Sequence, residues 1–168
     1  MKRILPYIFS VCTLFGGMVQ AQTTGRMITT ITATANVIGN VDLIVMKDLE
    51  FEVGSLTPTD LLVDPQKDAH AGHIKIIGSP KSLVRVTNEK QSILQHENGR
   101  SQLYFTYSLS GSIDNTQRKS VLLTQNNEVR LSDEGVYYLW LGGQLSGLEN
   151  IMPGNYSMEV KIDIEYIL

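Results

Sequence analysis

From Tyr156 to Tyr166 apolar and polar residues alternate without a break. Tyr156, Met158, Val160, Ile162, Ile164 and Tyr166 hold the even positions, and Ser157, Glu159, Lys161, Asp163 and Glu165 the odd ones. Successive side chains of a strand point to opposite faces, so this period of two predicts one long β-strand with a buried face and a wet face. At about 3.4 Å per residue it would reach roughly 37 Å, a length that suits a central strand. A weaker alternation runs near the other end. Ile31, Ala33, Ala35 and Val37 share one face, and Thr30, Thr32, Thr34 and Asn36 the other. Threonine favours extended backbone, so a second strand is expected there. A turn at Gly39-Asn40 and a further apolar strand, Val41 to Met46, follow.

Short candidate strands continue along the chain: Leu49 to Val53, His73 to Ile77, Leu83 to Thr87, Gln91 to His96 and Gln102 to Leu109. Ser120 to Thr124, Glu128 to Leu131 and Val136 to Leu141 complete the series. Turn-forming residues separate them, among them Gly78-Ser79-Pro80, Asn98-Gly99, Gly111 and Asp133-Glu134-Gly135. Asn126-Asn127, between two short strands, predicts a tight hairpin. No sustained helical period occurs, and the best helix candidate, Thr59 to Val63, is a single turn before Pro65. Thr57 to Gly72 and the glycine-containing Gly142 to Pro153 read as long loops. Many short strands at this spacing indicate an all-β domain, a sandwich or a barrel.

The first residues read as an address. Lys2 and Arg3 precede an apolar run from Ile4 to Phe15, and Val19-Gln20-Ala21 offers a cleavage site, so Met1 to Ala21 is expected to be a secretory signal peptide. The run is short of the roughly 20 residues a membrane helix needs, and no later segment supplies an integral span. Residues 22–168 then form one domain. Removing the leader takes Lys2 and Arg3 from the 14 basic residues, leaving 12 against 17 acidic ones and a net charge of -5. That balance argues against nucleic acid as a partner. The leader also carries Cys12, the single cysteine, so the exported chain would hold no thiol and would depend on its buried core.

Candidate chemistry is sparse. His70 and His73, near Asp64 and Asp68, could in principle meet a metal, but their spacing fits no established ligand pattern and Lys67 and Lys75 flank them. A solvated loop is the expectation, with neither metal nor cofactor. Glu159, Asp163 and Glu165 line the wet face of the last strand with Lys161 between them, which fits a solvated surface better than paired acid–base carboxylates. No nucleophile elbow or phosphate-binding glycine loop is present, and no enzyme is expected. Tyr138 and Trp140 share a face of one strand, opposite Tyr137, Leu139 and Leu141. Facing water, the pair could bind a sugar or a partner; facing inward, they would be core, the expectation for Trp140.

Five stretches carry a family resemblance when taken in order. They are Ile31-Thr32-Ala33-Thr34-Ala35, Asp48-Leu49-Glu50-Phe51, Ile74-Lys75-Ile76-Ile77-Gly78, Leu141-Gly142-Gly143-Gln144-Leu145, and Pro153-Gly154-Asn155-Tyr156 leading into the last strand. From about Ile28 to Tyr166 the chain resembles a bacterial family of unknown function, the DUF four-four-zero-two domains, which look related to Mat/Ecp-type fimbrial subunits. It departs from the family where Glu52 and Val53 separate Phe51 from Gly54. The resemblance implies an immunoglobulin-like antiparallel β-sandwich, exported to the periplasm, cell surface or medium, and brings no catalytic residues. The expected function is a structural or adhesin-like envelope protein, a fimbrial subunit joined to copies of itself or to other envelope proteins by strand addition. The donor segment would be Ile31, Ala33, Ala35 and Val37 with their neighbours. The alternative is a monomeric binding module for glycan or protein.

Overall fold

The computed structural model describes residues 29–38, 41–51, 60–150, 152 and 154–167. The expected signal peptide, the turn at Gly39-Asn40 and the stretch from Glu52 to Thr59 lie outside the described residues. Eleven strands make up the fold: β1 (Thr29–Ile38), β2 (Asp42–Lys47), β3 (Asp60–Val63), β4 (Gly72–Ile77), β5 (Leu83–Asn88), β6 (Gln91–His96), β7 (Gln102–Ser112), β8 (Val121–Leu123), β9 (Asn126–Arg130), β10 (Val136–Ser146) and β11 (Tyr156–Tyr166). Two short 3-10 turns, Gln117–Lys119 and Leu148–Asn150, are the helical segments among the described residues. The molecule is therefore all-β, as the sequence predicts.

Hydrogen bonds join the strands into one sheet in the order β2-β4-β10-β7-β6-β11-β5-β9, with β3 beside β10, β8 beside β7 and β1 beside β11. All pairings are antiparallel except that of β1, which runs parallel to β11. Three strands of 11 residues, β7, β10 and β11, form the frame. β11 is central, with β1 along one side and β6 and then β5 along the other.

Burial follows the sequence period closely. On β11 the positions from Tyr156 to Ile164 alternate buried and exposed, the apolar set inward. β4 buries Gly72, Ile74 and Ile76, and β5 buries Val84 and Val86. Ile74, Ile76, Val84 and Val86 belong to one hydrophobic cluster together with Leu94, Leu103, Phe105, Leu139, Leu145 and Ile162. Strands distant in the sheet order thus share a core. The N–H of Ser79, just past β4, donates to Tyr166 Oη at 2.8 Å, although β4 and β11 are four steps apart in that order.

Five local expectations change. Of the expected strand Leu49 to Val53, the described residues 49–51 form no strand, with a single bridge at Leu49. Thr59 to Val63 forms no helical turn: Asp60–Val63 is β3, paired with Ser146 to Gly143 of β10. A four-residue segment has too little local preference to resist an available strand edge. Gly142 and Gly143 lie inside β10 rather than opening a loop, and β10 runs on to Ser146. A Cβ on Gly142 would come within 2.3 Å of Val63 O, and Gly143 has φ +155 with Thr106 O 2.3 Å from where a Cβ would stand. Glycine here admits close backbone approach, which reads in a sequence like a loop signal. Gly111 likewise sits in β7, opposite Leu139. Asn126-Asn127 makes no hairpin, because β8 pairs with β7 while β9 pairs with β5.

Candidate functional site

Two places gather the residues that the sequence singles out. One is the seam between β1 and β11. Its register sets Ile31 beside Met158, Ala33 beside Val160, Ala35 beside Ile162 and Val37 beside Ile164. The apolar set of β1 is therefore matched, position for position, to the buried set of β11. Thr30, Thr32, Thr34 and Asn36 are matched to Ser157, Glu159, Lys161 and Asp163. Among the described strands, β1 is backbone-paired with β11 only.

The other place is the outer face of β4 and β10. Tyr137, Leu139 and Leu141 point to the core, so Tyr138 and Trp140 lie on the opposite face. Trp140 is nevertheless only 4% exposed. The His73 ring stacks on it, centroids 5.0 Å apart and planes within 5°. Tyr138 adds a tilted contact to each ring, 5.7 Å from His73 and 6.3 Å from Trp140. Pairing of β10 with β4 places Trp140 opposite His73 and Tyr138 opposite Lys75. With Trp140 covered and Tyr138 half-buried, this pair offers a ligand little ring surface.

A polar clamp lies beside the stack. Ser110, opposite Trp140 on β7, donates through Oγ to Pro65 O at 3.1 Å and accepts from Ser120 Oγ at 2.8 Å. Gln117 Nε2 donates to Pro65 O at 3.0 Å and to Asp68 O at 2.8 Å. Gln66 Nε2 donates to Ser120 O at 2.5 Å. Lys47 Nζ, from β2, donates to Ala69 O. These bonds hold the segment from Asp64 to Ala71 down on the sheet, and Pro65 packs where a side chain on Gly142 would stand. A segment read from composition as a solvated loop is thus an anchored cover.

The two histidines of that region have separate partners. His70 Nδ1 lies 3.0 Å from Asp68 Oδ1. His73 Nε2 is buried with no hydrogen-bond partner among the described residues, and burial lowers the pKa of the ring below its ordinary 6.5. No group of three or more His, Cys, Asp or Glu residues that could hold a metal occurs among the described residues. The carboxylates of β11 face outward, and Glu165 is paired with Arg85 of β5 at 2.8 Å. Arg85 also reaches Glu128 of β9 at 3.1 Å, so it ties three strands together on the wet face. Sequence patterning locates both faces of β10 but gives no sign of the clamp, whose donors are ordinary serines and glutamines far apart in the chain. No helix among the described residues is long and apolar enough to cross a membrane. Compared with known proteins, the chain matches no protein-family model and no curated protein.

Proposed function

We propose that this chain is an exported structural subunit of a bacterial envelope, an immunoglobulin-like β-sandwich that joins its neighbours by exchanging β1. The sandwich reading rests on the shared core. β4 and β5 are five steps apart in the sheet order, about 24 Å on a flat sheet, yet Ile74, Ile76, Val84 and Val86 belong to one cluster. A sheet that folds over β6, with the halves β2-β4-β10-β7 and β1-β11-β5-β9 face to face, brings them together.

The observation that carries the functional reading is the pairing of β1. It is the one parallel strand among described strands that otherwise pair antiparallel, and it lies at the start of the described chain. Parallel pairing is slightly weaker per residue. Among the described strands β1 is backbone-paired with β11 only, so its leaving unpairs no other described strand. Its departure would bare the backbone edge of β11 over the stretch that buries Met158, Val160, Ile162 and Ile164. A like segment from a second copy, entering antiparallel, would satisfy that edge and present the same alternation. Export to the periplasm or cell surface, and the likeness to fimbrial subunits, belong to the same proposal.

Purified protein covering residues 22–168, held at high concentration, should form ladders that survive mild denaturant. A variant lacking residues 22–38 should form none and should capture a synthetic peptide of residues 29–38. An intact chain that stays monomeric under these conditions would overturn the reading.

A further inference from the structure

Both strands of the β1–β11 seam have nearly the same chemical order read in either direction. On either side of Lys161, β11 sets Val160 and Ile162, then Glu159 and Asp163, then Met158 and Ile164, with Tyr156 and Tyr166 at its two ends. Only Ser157 and Glu165 differ in kind. On either side of Thr34, β1 sets Ala33 and Ala35, then Thr32 and Asn36, then Ile31 and Val37. The register lays one centre on the other, for Thr34 is the partner of Lys161. Reversing β1 about that point would therefore change no pairing in kind from Ile31 to Val37. Ile31 would pass from Met158 to Ile164, and Val37 from Ile164 to Met158. Ala33 and Ala35 would exchange Val160 and Ile162, and Thr32 and Asn36 would exchange Glu159 and Asp163. The period of two stays in phase, because the apolar row of β1 still meets the buried row of β11.

We infer that β11 accepts β1 in two directions at one register. The chain's own β1 lies parallel, and the β1 of a second copy enters antiparallel with its Thr34 again opposite Lys161. This rests on the strand exchange proposed above and specifies its partner and its geometry. Size and charge select the occupant. The apolar row of β1 runs large, small, small, large, with the two alanines opposite Val160 and Ile162. An antiparallel strand slipped by two residues would set Val37 opposite Val160, where the present register sets an alanine. A slip of one residue would turn the apolar row onto the wet positions of β11. A second copy's β11 is a poorer occupant than its β1. About the same centre it would set Lys161 opposite Lys161 and Glu159 opposite Asp163, and like charges directly opposite are destabilising. Residues 29–38 carry no charge and meet none of that repulsion. Antiparallel pairing is also the slightly more stable kind per residue, so exchange exchanges one matched seam for a stronger one.

Residues 22–168 contain no cysteine, so introduced pairs can report the register. In protein covering those residues, Thr32→Cys with Asp163→Cys tests the antiparallel register, and Thr32→Cys with Glu159→Cys the parallel one. Positions 159 and 163 are both exposed and lie about 14 Å apart along β11, beyond the span of a short bifunctional thiol reagent. Added after assembly at high concentration, the reagent should join the first pair between chains, giving a ladder on denaturing gels that is lost when either cysteine is omitted. Added to dilute monomer, it should join the second pair within one chain, and protein locked in that way should lose the ability to assemble. Assemblies that link Thr32→Cys between chains to Glu159→Cys, Lys161→Cys or Glu165→Cys instead of Asp163→Cys would overturn the register and leave exchange standing. Failure of the unsubstituted protein to assemble would overturn exchange itself, and the register with it.

Discussion

His73 illustrates how one side chain couples packing to solution conditions. Its ring is stacked on Trp140 and beside Tyr138, with a buried Nε2 that has no acceptor among the described residues. The cations nearest in register are Lys47 of β2, opposite His73, and Lys75, opposite Tyr138; the carboxylate of Asp68 is engaged by His70. Burial therefore favours the neutral ring and lowers its pKa from 6.5. The unfolded chain takes up the proton first on acidification, so stability rises with pH through this window. The contribution is full above about pH 6.5 and is lost as pH falls toward the depressed folded value. The melting temperature should fall across that range, and His73→Phe, which keeps the stack, should flatten the decline. An equal decline in the variant would assign the effect elsewhere. In the sequence His73 is legible as a strand residue and a weak metal candidate but not as a stacked, buried ring, because the partner it stacks on, Trp140, is 67 residues away.

At the scale of elements, period and length separate what can be read from what cannot. β11 matches its expected bounds, since an unbroken alternation specifies both type and face. β6 does too, and β4, β5, β7, β9 and β10 differ only at their ends. The segment from Asp64 to Ala71 is different in kind. Its place is set by Ser110, Gln117 and Ser120, which lie in β7 and the turn after it. Gln117→Ala would remove the donor to both Pro65 O and Asp68 O. The expected cost is about 1–3 kcal/mol, the range for partly buried hydrogen bonds lost on one side. Loosening the cover should also wet Trp140, the only tryptophan, so its fluorescence should shift to the red. An unchanged spectrum with unchanged stability would mean that Pro65 is held by packing alone.

For the whole molecule, the decisive feature is that strands from both ends of the sheet order feed one hydrophobic cluster. A core shared in this way makes the parts interdependent, and unfolding should be a single cooperative event. Urea transitions followed by Trp140 fluorescence and by far-ultraviolet dichroism should coincide; two separated transitions would show that the β10 and β11 regions unfold independently. By itself the sequence determined the all-β class, the long closing strand and its buried face, and the apolar alternation of Ile31 to Val37. These follow from local periodicity and composition. Only the tertiary structure decided that Gly142 and Gly143 continue a strand, that Asp60 to Val63 joins β10, that Trp140 is buried on the outer face, and that β1 lies parallel to β11. Each depends on which distant backbone edge or side chain arrives at a given place, and such meetings leave no mark in the spacing of residues along the chain.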